Sequence, residues 1–115
     1  MNTANTFVNT ADILEKAALI LERDGWCRGR FEKRPGGPVC AVGAIRRAAS
    51  GDALCHVPGV GAVNVFATFL VKDAAYRWGL GLVQCWNDDQ RDKRKVVRAL
   101  RRAARSWRAG HPEVA

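Results

Sequence analysis

The sequence predicts an all-α fold, a compact bundle of about four helices joined by two loops that contain glycine and proline. Apolar residues recur at the 3.6-residue spacing of a helix in four segments. Glycine and proline interrupt this pattern at residues 28–38 and 50–61. An apolar fraction of 48% over 115 residues suits one domain with one core. We assign residues 10–109 to this domain, residues 1–9 to a flexible N-terminus and residues 110–115 to a flexible tail.

The first helix is predicted over residues 11–24. Asp12 and Glu15 have the three-residue spacing of a capping box, which indicates a helix start at this point. Gly25 stands where a left-handed residue commonly ends a helix, and Trp26 can fold back onto the last turn. The apolar face comprises Ile13, Leu14, Ala17, Ala18 and Leu21.

The second helix is predicted over residues 39–49, with Gly43 in its middle. Glycine lowers helix stability by roughly 1 kcal/mol relative to alanine. A glycine at this position is explained if another helix crosses closely there. We therefore expect a close helix crossing at Gly43.

The third helix is predicted over residues 62–78. Its β-branched residues leave a strand over 62–71 as an alternative, but the helical period continues beyond the usual length of a strand. Gly79 and Gly81 are expected to end this helix. The apolar residues 82–86 are too few to assign.

The last helix is predicted to begin after Asp92, a good N-cap, and to end before Gly110. Its two faces are sharply different. One arc carries Val96, Val97, Leu100, Ala103, Ala104 and Trp107. The other carries Arg91, Arg94, Lys95, Arg98, Arg101, Arg102, Arg105 and Arg108. The predicted core of the domain is Leu14, Leu21, Trp26, Ile45, Phe66, Phe69, Leu70, Leu100 and Trp107.

The net charge of +8 lies entirely within residues 91–108. This segment holds nine basic residues and one acidic residue, which leaves ten of each for the rest of the chain. Like charges four residues apart, such as Arg94 and Arg98, each cost a few tenths of a kcal/mol, so a compensating partner is expected. The planar fork of arginine pairs with phosphate or carboxylate at two points.

We therefore predict a binding protein that is not an enzyme and that uses the eight cations of the last helix to bind an anionic partner, with nucleic acid favoured. Two alternatives stay open: a modulator or inhibitor that binds an acidic surface of a host protein, and a small-ligand binder. An exposed, solvated helix face with no partner is a further reading of the same charges. The oligomeric state is open, because the apolar arc suits a dimer as well as a monomer core.

The four cysteines are interpreted as free thiols. No Cys-x-x-Cys pair occurs among the candidate zinc ligands, so the sequence gives only weak evidence for a zinc site. These candidates are Cys27, Cys40, Cys55, Cys85 and His56. Adjacent Cys55 and His56 have no evident orienting group, so they are a poor nucleophile pair. No glycine-rich loop matches a phosphate-binding motif. We predict no metal and no cofactor.

Trp86, Asn87 and Asp88 precede the last helix. Asn and Asp at such a point usually shape the turn by bonding to backbone N–H groups. The functional alternative makes Trp86, Asn87 and Asp88, together with Trp26, a pocket or a partner surface.

Three motifs resemble those of a family of small uncharacterised proteins from actinobacteria and their phages. They are Gly25-Trp26-Cys27, Cys40 followed by Gly43-Ala44-Ile45, and Trp86-Asn87-Asp88 with Arg91. The resemblance covers about residues 12–105 and departs at Asp92, where the family commonly has threonine. Both residues cap helices. The resemblance implies a helical architecture and a source, and no catalytic residues.

No run of about 18 apolar residues is present, so a membrane span is not expected. The first residues lack a basic stretch followed by an apolar one, which argues against a signal peptide. We therefore predict a cytoplasmic protein whose thiols are kept reduced.

Overall fold

A computed structural model describes the chain over residues 4–71 and 79–112. These residues form five α-helices and one short 3-10 turn at Val57–Gly59. The helices are α1 (Ala4–Asp24), α2 (Ala41–Ser50), α3 (Val60–Leu70), α4 (Gly79–Asp89) and α5 (Lys93–Gly110). The all-α prediction is confirmed, with five helices in the described ranges instead of about four.

Helix α1 begins at Ala4, seven residues before the predicted start near residue 11. Residues 4–9 are therefore helical, and the predicted capping box is wrong. Neither glycine nor proline occurs before Gly25, so nothing in the sequence interrupts the helix. Gly25 ends it as predicted, with φ of +100° and a hydrogen bond from its N–H to the carbonyl of Leu21 at 3.0 Å.

Helix α2 is almost wholly buried, and Cys40 caps its start by accepting a hydrogen bond from the N–H of Gly43. A Cβ at Gly43 would stand 2.1 Å from the carbonyl oxygen of Phe31. The close approach predicted at Gly43 therefore exists, but a loop carbonyl makes it and not a crossing helix. The same carbonyl accepts a hydrogen bond from the N–H of Cys40 at 3.1 Å, which holds the loop against the helix.

Helix α3 confirms the helical interpretation of residues 62–70 over the strand alternative. The remainder of that prediction, residues 72–78, lies outside the described residues. Gly79 and Gly81 do not end a helix, because both belong to α4. Tertiary packing outweighs their low propensity: Val83 is fully buried, and the ring of Trp86 meets that of Phe66 edge-on at 5.4 Å.

The core lies where α1, α2, α3 and α5 meet. Of the predicted core residues, five are fully buried and four are partly buried against them. The buried ones are Leu14, Leu21, Ile45, Phe66 and Leu100, and the partly buried ones are Trp26, Phe69, Leu70 and Trp107. In the part of the chain described, no helix is both long and apolar enough to span a membrane.

Helices α1 and α5 pack along each other and run antiparallel. Near the C-terminal end of α5, Arg108 contacts Asp12 of α1. Just before the start of α5, the carbonyl of Gln90 accepts a hydrogen bond from Arg28, four residues after α1 ends. The N-terminal end of α5 therefore lies beside the loop of residues 25–40.

Candidate nucleic-acid interface

Helix α5 is held rigidly by its start and by its apolar face. Asp92, the predicted N-cap, has extended backbone angles, and its Oδ1 accepts a hydrogen bond from the N–H of Arg94 at 2.9 Å. This bond and the guanidinium of Arg94 lower the pKa of Asp92. The predicted apolar arc is buried except for Trp107, which is half-buried. The buried residues are Val96, Val97, Leu100, Ala103 and Ala104.

Seven of the eight cations predicted to bind a partner are exposed, and we call these seven the cationic face. They are Arg91, Arg94, Lys95, Arg98, Arg101, Arg102 and Arg105. Arg94 pairs with Asp92 at 3.2 Å, yet its side chain stays 79% exposed. The other six make no ion pair with any residue in the described ranges. Their charges are therefore available to a partner.

The cations of α5 stand in rows. At 100° and 1.5 Å per residue, Arg94, Arg98, Arg101 and Arg105 form one row roughly 16 Å long. Lys95 and Arg102 stand about one quarter turn away from it. A shallow cleft between this first row and Glu22 of α1 runs along the helix. Such a row presents several guanidinium forks toward one side of the molecule.

Arg108, the eighth predicted binding residue, is engaged within the chain. It donates to Asp12 Oδ1 at 2.6 Å and also to Glu15 Oε1, and its side chain is only 32% exposed. The hydrogen bond to Glu15 and, to a smaller extent, that to Asp12 raise the pKa of Arg108. Arg108 therefore fastens α5 to α1 and is not part of the cationic face.

The four residues predicted as a pocket or partner surface are joined mainly by structural contacts. Asn87 is fully buried, and its Oδ1 accepts hydrogen bonds from Trp26 Nε1 at 2.8 Å and from the N–H of Ala41 at 2.9 Å. Its Nδ2 donates to the carbonyl of Cys27 at 3.2 Å. One carboxamide thus ties α4 to the loop and to the first residue of α2.

Asp88 and Trp86 serve different neighbours. Asp88 Oδ1 accepts a hydrogen bond at 2.9 Å from the N–H of Gly29, which has φ of +82°. Trp86 packs on Phe66 of α3. The structure therefore brings Trp26, Asn87 and Asp88 together, while Trp86 faces the core.

The four cysteines are free thiols, as predicted. Cys40 is buried, which raises the pKa of its thiol to about 11, and burial also raises the pKa of Cys27. The side chain of His56 lies 2.9 Å from Arg46 Nη2, so it is engaged elsewhere than at Cys55. Within the described ranges, no group of three His, Cys, Asp or Glu side chains is placed to hold a metal ion.

A cleft of about 520 Å³ lies between α3 and α5. Its walls include Val65, Phe69 and Trp107, whose indole N–H is buried with no hydrogen-bond partner among the described residues. The ring of His111 stacks on Trp107 with centroids 3.6 Å apart. This cleft is apart from Trp26, Trp86 and Asp88, the residues that the sequence offers as an alternative pocket.

A second group of cations was missed in the sequence. Arg28, Arg30 and Lys33 are exposed and line a cleft of about 450 Å³ beside Trp26; we call these three the loop cluster. Residues outside 91–108 sum to zero charge, and this sum concealed the cluster. The available signal was the local density of cations over residues 28–34, where Glu32 is the one acid.

The fold and this surface define a small all-α protein with a cationic helix face backed by a buried core. The chain belongs to the family of unknown function DUF6197, whose model matches residues 6–106. This match confirms the expected membership of an uncharacterised family. Neither the curated proteins nor the solved structures contain a match to the chain.

Proposed function

We propose that this protein binds nucleic acid through the cationic face and does so without catalysing a reaction. The supporting observation is that six exposed cations of this face have no ion-pair partner in the described ranges. Each phosphate that such a cation neutralises releases counterions, and this release drives association. Because the backbone of α5 is fixed by its buried arc, the guanidinium forks keep a constant spacing.

Nucleic acid fits this face better than an acidic protein surface does. Protein interfaces concentrate their binding energy in buried aromatic and other large side chains. The exposed positions of α5 carry basic residues and otherwise Ser106, Ala109 and Gly110, so they offer charge without an apolar anchor. A host-protein modulator or inhibitor is the competing function. In keeping with the motif resemblance, the proposal includes a phage or actinobacterial source and action in the cytoplasm.

The proposal is tested by measuring nucleic-acid affinity against salt concentration. We expect the logarithm of the binding constant to fall linearly with the logarithm of salt between about 50 and 200 mM. Substituting Arg98→Gln, Arg101→Gln and Arg105→Gln together should weaken binding and reduce the slope by about 3. The single variant Arg101→Gln is compared with Lys16→Gln, which removes an exposed cation on α1. We expect Lys16→Gln to change the slope less than Arg101→Gln does.

Salt-insensitive binding, or an unchanged slope in the triple variant, would contradict the proposal. A pull-down from nuclease-treated lysate separates the competing function. A protein partner that is retained after nuclease treatment and lost in the triple variant would favour the modulator over nucleic-acid binding.

A further inference from the structure

The acidic residue that lies among the cations of the loop cluster in the sequence is paired with a buried arginine. Glu32 is the one acidic residue among residues 28–34, and it pairs with the buried Arg47. Asp24, at the end of α1, pairs with Arg47 as well as with Arg23. The cations of the loop therefore face solvent without the acids that balance them in the sequence.

The loop that carries the cluster is fixed in place. Its two ends are joined by the hydrogen bonds Cys27 N–H to Val39 O at 3.0 Å and Val39 N–H to Gly25 O at 3.1 Å. Within it, the N–H of Lys33 donates to the carbonyl of Pro38 at 2.8 Å. The cluster is thus attached to a pinned backbone, which lowers the entropy lost when a partner binds.

The loop cluster lies at the N-terminal end of the cationic face. Arg28 Nη1 donates to the carbonyl of Gln90 at 3.2 Å, one residue before Arg91. The row on α5 runs roughly 16 Å from Arg105 to Arg94, and Arg28 lies beyond the N-cap, at the residue that precedes Arg91. Among the described residues, three acids lie near this junction: the N-cap Asp92, Asp88, which accepts a hydrogen bond from the N–H of Gly29, and the exposed Asp89.

Among the described residues of this surface, Trp26 carries an aromatic ring, and it is partly buried. Proteins that bind single strands stack bases on exposed aromatic side chains. The indole N–H of Trp26 donates a hydrogen bond to Asn87, and the guanidinium carbon of Arg28 lies over the Trp26 ring, 5.9 Å from its centroid. The exposed positions of α5 carry no ring. The surface therefore offers charge at regular spacing and, at Trp26, one partly buried ring.

We infer that the cationic face and the loop cluster form one continuous surface that binds the phosphate backbone of a double-stranded nucleic acid. This inference rests on the proposed function and adds both a second contact region and the form of the ligand. A duplex carries one negative charge per roughly 1.7 Å of its axis, so it can supply counter-charges along the whole surface. DNA and RNA duplexes share this chemistry.

The test compares a DNA duplex, an RNA duplex of the same sequence and their separate strands, with four proteins. These are the wild type, the α5 triple variant, the loop variant Arg28→Gln/Arg30→Gln/Lys33→Gln, and the double variant Arg30→Gln/Lys33→Gln. The double variant keeps the bond from Arg28 to Gln90 and so guards against loss of the fold. We expect the loop variant to weaken duplex binding at least about tenfold at low salt. The slope of the logarithm of the binding constant against the logarithm of salt should fall by about 3 in the loop variant and by about 2 in the double variant.

The outcomes separate this inference from the proposed function. If the α5 variant reduces the slope and neither loop variant does, the inference is wrong and the proposed function stands. If no variant changes the slope, both fail. Separate strands that bind as tightly as the duplexes overturn the assignment of a duplex ligand. Preference for the DNA or the RNA duplex supports the inference and identifies which duplex is bound.

Discussion

Asn87 is the residue on which the arrangement of the loop and two helices most depends. Its carboxamide oxygen accepts hydrogen bonds from Trp26 and from Ala41, and its amide group donates to Cys27. All of these groups are buried or partly buried, where an unpaired donor costs about 1–3 kcal/mol. The bonds join segments more than forty residues apart in sequence.

Replacing Asn87 with leucine should therefore lower the free energy of unfolding by about 2–4 kcal/mol, because two donors lose their acceptor. Urea denaturation followed by circular dichroism measures this change. Asp89→Asn, an exposed neighbour on the same helix, is the control and should stay within about 0.5 kcal/mol of the wild type. Equal stability of Asn87→Leu and the control would show that Asn87 does not hold these elements together.

Asp24 makes stability depend on acidic pH. A hydrogen bond from Arg23, with a further one from Arg47, lowers the pKa of Asp24 from 3.8 to about 2 against the opposing effect of burial. A carboxyl group whose folded pKa lies below its unfolded pKa stabilises the fold above the unfolded value. That contribution is lost as the pH falls from about 4 toward 2.

We expect the free energy of unfolding of the wild type to fall as the pH drops from about 4 toward 2. In the variant Asp24→Asn, the free energy of unfolding should fall less over the same pH range. Chemical denaturation at a series of pH values measures it. Arg23→Gln should raise the pKa of Asp24, because the hydrogen bond from Arg23 is the largest cause of the lowered value. The pH range over which Asp24 adds to stability should then be narrower. The same pH dependence in wild type and Asp24→Asn would contradict this assignment.

At the scale of the elements, α2 is positioned by a backbone contact that allows no side chain at Gly43. Alanine there would gain roughly 1 kcal/mol of helix propensity. Its Cβ, however, would stand 2.1 Å from the carbonyl oxygen of Phe31, which is held by a hydrogen bond from Cys40. The backbone must move to admit the methyl group.

Gly43→Ala should therefore destabilise the protein by roughly 2 kcal/mol. Gly61→Ala is a matched control, because Gly61 lies in α3 and no atom of the described residues lies within 4 Å of an added Cβ. That variant should be neutral or up to about 1 kcal/mol more stable. Thermal or urea unfolding of both variants decides the point, and a Gly43→Ala variant as stable as Gly61→Ala would refute it.

The elements also show which features a sequence reveals. Helix α5 was predicted closely because its N-cap, its period and its two faces all agree. Helix α4 was missed because its glycines read as helix ends, whereas Val83 and Trp86 gain enough from burial to keep it helical. The start of α1 was misplaced because Asp12 and Glu15 have capping spacing, although they bind Arg108.

At the scale of the whole molecule, net charge is informative only once the internal ion pairs are known. Summed over the sequence, the chain outside residues 91–108 is neutral. In the fold, Asp24 and Glu32 pair with Arg47, and Asp12 and Glu15 pair with Arg108. Two of these acids are engaged by a buried arginine and two by an arginine of α5, and none of the four pairs with the loop cluster. Sequence spacing alone cannot reveal such pairing across distant segments.

We propose that the exposed arginines of α5, and not the internally paired ones, bind the phosphates of nucleic acid. Proton–nitrogen correlation spectra of the arginine Nε–H groups test it most directly as a nucleic-acid duplex is added. We predict that the signals of Arg98, Arg101 and Arg105 shift on addition, while those of Arg47 and Arg108 stay in place because their carboxylate partners are within the fold. Unchanged signals for the α5 arginines, or shifts confined to Arg47 and Arg108, would contradict the claim.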